Sequence, residues 1–163
     1  VDTKKIISYL PDTTYLGDEM KIKDVVTYFE DFYSDFSREK AQKLLKDLNL
    51  DPTEQLKNLS KGNKEKVQLI LVMSRNAKLY ILDEPIGGVD PAAREYILRT
   101  IINNYSEDSS VIISTHLIAD IEPILDEVVF LKEGKVILQG NADDIREEYG
   151  ESIDLVFREK YKV

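Results

Sequence analysis

Leu79-Tyr80-Ile81-Leu82-Asp83-Glu84-Pro85 is an unbroken apolar run that stops at two carboxylates and a proline. Apolar residues without alternation read as a strand covered on both faces, the habit of a parallel sheet. Such sheets collect ligands at the carboxyl ends of their strands. The two acids leave the strand tip in different directions and can do two jobs. Asp83, at the tip, can hold the hydration shell of Mg²⁺, which takes few protein ligands. Glu84, just beyond, can orient and polarise an attacking water. Pro85 is expected to keep Glu84 in an extended backbone. Taken alone, the same residues also make an ordinary polar turn.

Around this strand the chain alternates strands and helices. Residues 4–10 (KKIISYL) form an apolar run closed by Pro11 and predict another buried strand. Residues 20–58 carry apolar residues at helical spacing, and Ser37 caps the second of two helices there. They read as a helical subdomain inserted in an α/β body. A helix over 64–75 precedes the acidic strand, and a helix capped by Asp90 with Pro91 in its first turn follows it. Residues 111–114 predict the next strand, and 117–125 the next helix. Residues 128–131 and 136–138 flank Lys-Glu-Gly-Lys as a hairpin, with Gly134 free for positive φ. A short helix over 143–149 and a last strand over 153–157 complete the reading. The expected organisation is 1–19 (strand and loop), 20–75 (helical part) and 76–163 (the rest of the α/β core).

The 163 residues hold 22 basic and 31 acidic side chains, a net charge of −9. That balance argues against nucleic acid as a partner bound through overall charge. With no cysteine, disulfide scaffolds, iron–sulfur clusters and thiolate zinc are excluded, and one histidine excludes a multi-histidine metal site. No apolar run approaches the roughly 20 residues that cross a bilayer, and no signal peptide opens the chain. The expectation is a soluble, cytoplasmic chain. It opens on Val1 rather than Met, and is expected to be a piece of something longer.

Two further segments carry chemistry. Ser114-Thr115-His116 ends a buried strand, where a neutral imidazole can donate to a phosphate oxygen or a water; a lone histidine is also commonly structural. Ser60-Lys61-Gly62-Asn63 opens a helix, whose free N–H groups and dipole favour an anion, with Gly62 permitting close approach. An ordinary N-cap accounts for it equally.

In this order and with these gaps, Leu59–Asn63, LYILDEP, GGVDP and ISTH together resemble the ATP-binding domain of ABC transporters. The resemblance covers essentially the whole chain. It implies a P-loop NTPase-like fold, a mainly parallel α/β sheet with an inserted helical subdomain, and ATP with Mg²⁺ as cofactors. It makes residues 59–63 the signature motif, in which Ser60, Lys61, Gly62 and Asn63 grip the γ-phosphate of ATP held by a second subunit. It makes Asp83 the metal carboxylate, Glu84 the general base, Asp90 part of the loop across the dimer interface, and His116 the switch histidine. Residues 9–12 resemble the Q-loop, with Asp12 standing where the family has Gln and offering a carboxylate to metal or water. The implied partners are a transmembrane permease, contacted by the helical subdomain, and a second ATP-binding subunit, in a homodimer. The implied location is the cytoplasmic face of the cell membrane. SKGNKEK, THLIADIE and the tail GKVILQGNADDIREEYG are similar to bacterial drug and bacteriocin exporters.

Lys61 replaces the first signature glycine and Asn63 the glutamine. The larger departure is that no G-x-x-x-x-G-K-S/T occurs anywhere among the seven glycines. In the family that loop precedes the Q-loop, so the chain resembles the portion that follows it, and on its own it is expected to hydrolyse essentially no ATP. The phosphate-loop strand lies beside the switch-histidine strand in the family. Residues 128–131 are therefore expected to close the gap directly, or a second copy to fill it. Two other readings remain open: a non-transport ABC-type ATPase acting on ribosomes or DNA, and an interaction module lacking the phosphate loop by nature.

Overall fold

The computed structural model describes residues 2–162 and divides into two compact units between Thr115 and His116. In the first, α1 (Asp2–Ile6) runs into β1 (Ile7–Leu10). The strand expected over 4–10 is thus helical over its first three residues. The ladder explains the boundary: β2 (Leu79–Asp83) begins opposite Ile7, so earlier residues have no strand partner. β3 (Ser110–Ser114) pairs on the other side of β2, giving a parallel sheet in the order β1-β2-β3. The acidic strand is therefore central, and its tip lies level with the ends of its neighbours, Leu82 opposite Leu10 and Asp83 opposite Ser114.

Between β1 and β2 come α2 (Ile22–Phe32), α3 (Arg38–Asp47) and α4 (Lys61–Met73). Helix α2 buries Ile22, Val25, Val26 and Phe29, the i, i+3, i+4, i+7 stripe of an amphipathic helix. Ser37 caps α3 by accepting from the Lys40 N–H at 3.2 Å. Helix α4 starts three residues earlier than expected, because Ser60 caps it through the Asn63 N–H. From Val67 to Met73 every residue of α4 is buried, as a helix must be that packs on β1 and against both α2 and α3. Helix α5 (Pro91–Asn103) links β2 to β3, capped by Asp90, which accepts from the Ala93 N–H.

Arg75, just past α4, ties this unit together. Its guanidinium is 3% exposed, forks onto Asp35 at 2.9 and 3.1 Å, and donates to the Ile7 and Lys5 carbonyls at 2.6 and 3.0 Å. It also lies 3.9 Å from the centre of the Tyr33 ring. One buried cation thereby joins the α2–α3 connection to the start of β1.

The second unit holds α6 (Ile118–Ile121), the hairpin β4 (Glu127–Lys132) and β5 (Lys135–Asn141), α7 (Ala142–Tyr149) and α8 (Ile153–Lys160). Glu133 and Gly134 both have positive φ, the two-residue turn that matches strand twist. Phe130, Ile145, Ile153 and Val156 form its core. The strand expected over 153–157 is α8. Ser152 caps it, and Ile153, Val156 and Phe157 turn to one side at helical spacing. β4 pairs with β5 in a sheet of its own, so direct closure of the three-stranded sheet by 128–131 is not what the structure shows. β4 and β5 pair antiparallel, with a register shift at Phe130/Leu131.

Candidate active site

The acids that end β2 share a cleft with the segment that follows β1 and with one side of α4. Asp12, Glu65, Gln68, Asp83, Glu84 and Gly87 line it. Asp83 accepts a hydrogen bond from the Ser114 hydroxyl, its register partner. Glu84 is held at three points. Its N–H donates to the Ser114 carbonyl at 2.9 Å, its own carbonyl accepts from Gly87 N–H at 2.9 Å, and Oε2 accepts from the Thr115 hydroxyl at 3.2 Å. The extended backbone expected before Pro85 is not what these bonds select: Glu84 has φ +48°, in the left-handed region. For a residue with a Cβ that costs about 1–3 kcal/mol, borne where the surroundings over-determine the geometry.

Helix α4 brings two residues that the motifs did not point to. Glu65 sits one turn from the helix start, with Oε1 3.8 Å from the Lys61 ammonium. Burial pushes its carboxyl above the usual glutamate range; Lys61 opposes the shift and Asp12 adds to it. Gln68 is 2% exposed and donates from Nε2 to the Thr13 carbonyl at 3.4 Å. Their sequence signal is slight but present: a lone amide in the run VQLILVM, three residues after a carboxylate.

The other expected residues have these positions. Asp12 is exposed at the rim of the cleft. Ser60 serves as an N-cap, and Lys61 to Asn63 form the first turn of α4. A Cβ built on Gly62 would meet nothing within 4 Å, so packing within the chain does not demand glycine there. Asp90 caps α5. His116 is exposed and is the first residue of the second unit. The structure therefore brings Asp12, Asp83 and Glu84 together, with Ser114 and Thr115 as their supports.

Among the described residues, no group of three or more His, Asp or Glu side chains is arranged to hold a metal. Mg²⁺ does not require one, since it keeps most of its waters and takes one or two carboxylates. Asp83 and Asp12 fit that demand. The phosphate cradle is another matter, for no residue of this chain supplies it.

The family model for ABC transporters matches residues 1–87. The chain is 31% identical to the Bacillus subtilis ABC transporter ATP-binding protein YhaQ, over 88% of this chain and 50% of that one. It is 36% identical to the lantibiotic transport ATP-binding protein SrtF of Streptococcus pyogenes, over 54% of this chain and 38% of that one. A solved structure described as the ATP binding subunit of an ABC transporter superposes with a TM-score of 0.84 at 28% identity, covering 98% of this chain and 70% of that one. The chain spans about half the length of the curated relatives it matches. With a parallel α/β sheet ending in Asp83 and Glu84, a capped helix opening at Ser60 and these relatives, the chain belongs to the ABC transporter family as ATP-binding sequence of the P-loop NTPase-like fold.

Proposed function

We propose that this chain is part of the ATP-hydrolysing subunit of a bacterial ABC exporter, in which MgATP hydrolysis drives a substrate through a membrane permease. The observation that carries this reading is the cleft that gathers Asp12, Asp83 and Glu84 at the carboxyl ends of β1 and β2. The export direction draws on the likeness to a lantibiotic transport protein. In this proposal the transport path is a separate permease or domain, with this chain at its cytoplasmic face; among the described residues no helix is long and apolar enough to cross a membrane.

In this reading Asp83 and Asp12 hold Mg²⁺, which when bound draws charge from the phosphate oxygens. Glu84 takes the general-base role. Its carboxylate, pinned by Thr115, accepts a proton of the attacking water and aims the remaining lone pair at the γ-phosphorus. His116 donates to the oxygens on which charge develops. Ser60 to Asn63 serve the neighbouring subunit's nucleotide. The open space over Gly62 suits close approach from outside the chain, and glycine inside a helix, which costs about 1 kcal/mol relative to alanine, is then explained by function. Asp90, already a cap, lies in the loop that meets the second subunit.

The test is the full-length gene product reconstituted with its permease in vesicles. We expect MgATP-dependent export, and no turnover above background by the 163-residue chain alone. Turnover by the isolated chain that Glu84→Gln abolishes would overturn the assignment of the phosphate cradle to residues outside it.

A further inference from the structure

Two oxygens on residues that line the cleft are buried without a hydrogen-bond donor, Oε2 of Glu65 and Oε1 of Gln68. They belong to residues one turn apart on α4 and line the same cavity as Asp12, Asp83 and Glu84. The amide cannot be turned round to relieve its oxygen. Nε2 donates to the Thr13 carbonyl, and exchanging the two atoms would set oxygen against oxygen. Leaving a buried acceptor unmade costs about 1–3 kcal/mol, and two of them on one helix face call for a common donor. The cleft measures about 30 Å³, against the roughly 10–15 Å³ that one water needs. A single water has two hydrogens to give.

We propose that Glu65 and Gln68 are positioning residues: together they hold one ordered water in the cleft and, through the Gln68–Thr13 bond, fix the segment that carries Asp12 beside Asp83 and Glu84. The water donates one hydrogen to Glu65 Oε2 and the other to Gln68 Oε1. The amide N–H of Gln68 anchors the backbone one residue beyond Asp12. An amide function that the loop lacks at position 12 is thereby present in the same cleft, delivered from the helix. Lys61 stands 3.8 Å from the other Glu65 oxygen, which ties the first turn of α4 to the Glu65 side of the cleft. This role rests on the ATPase reading above; the water itself does not.

The experiment has two arms. A crystal structure of the 163-residue chain should show a water within about 3 Å of both oxygens. A dry cleft, or Glu65 and Gln68 in direct contact, overturns the proposal even if the full-length protein hydrolyses ATP. In the full-length gene product, Gln68→Met should lower kcat for MgATP about 10²-fold, the usual loss for a misplaced reacting group, with KM unchanged and the protein still folded at the assay temperature. Glu65→Gln, which keeps an acceptor for the water, should stay within about threefold of wild type, whereas Glu65→Met should match Gln68→Met. An unchanged kcat for Gln68→Met, or a loss that comes with unfolding at the assay temperature, overturns the positioning role. A wild-type protein that holds the water yet shows no turnover overturns the ATPase reading, and the positioning role falls with it.

Discussion

Glu84 and Glu122 are two glutamates whose neighbours assign them opposite work. Glu84 is held in a left-handed backbone beside a cleft, whereas Glu122 is spent on structure. Its carboxylate accepts from the Ile153 and Asp154 N–H groups at 2.8 and 3.2 Å and from Arg146 at 3.1 Å. Burial alone would push the Glu122 carboxyl up, but these donors outweigh it and hold the group below the ordinary glutamate value of 4.5. A carboxylate whose folded value is depressed contributes stability above its unfolded value and loses it as the pH falls through the folded one. The second unit should therefore weaken below about pH 4.5, and Glu122→Gln should remove that part of the acid sensitivity while lowering stability at neutral pH. Thermal melts of both proteins between pH 3 and 7 check this. Arg75 is a buried cation whose guanidinium nitrogens all donate within the first unit. Arg75→Met leaves Asp35 and two carbonyls without their donor and should cost about 3–5 kcal/mol in denaturant unfolding.

Helix α4 carries most of the element-scale account, since its first turn, its Glu65–Gln68 side and its apolar body serve three purposes. Ser60→Ala removes the cap and should destabilise the chain by about 1 kcal/mol, read from the urea midpoint. In the hairpin, Gly134→Val forces a β-branched residue to φ +74° and should cost at least about 1 kcal/mol by the same measurement. These elements also show what a sequence discloses. The acidic strand, the helix capped by Asp90 and the hairpin turn were readable, because local chemistry decides each: apolar runs, caps and a glycine. Residues 153–157 read as strand in isolation, because Ile-Asp-Leu-Val-Phe is a short, mostly apolar run that fits a strand or a helix. What makes them helical is the Ser152 cap together with a glutamate 31 residues away. Residues 4–6 look like strand, yet the partner that would extend them is missing from the β2 register. In the cleft, Asp83 and Glu84 announce themselves. The φ of Glu84 follows from bonds to Ser114 and Gly87, and the burial of Gln68 follows from the packing of α4 on β1 and its neighbouring helices; no nearest-neighbour rule contains either.

At the scale of the molecule, the net charge of −9 argues against nucleic acid bound through overall charge, and the family membership makes this ATP-binding sequence of an ABC transporter. In the proposed reading, the carboxylates of the cleft and the helix start that would serve a second subunit are on this chain, whereas no G-x-x-x-x-G-K-S/T occurs in it. A complete site in that reading draws on residues outside these 163, and activity is measured where they are present. The most direct measurement is steady-state MgATP hydrolysis by the full-length gene product, wild type against Glu84→Gln. Removing the general base should lower kcat by about 10²–10⁴-fold, with MgATP still bound and the protein equally stable. A Glu84→Gln protein that turns over ATP at the wild-type rate would contradict the account.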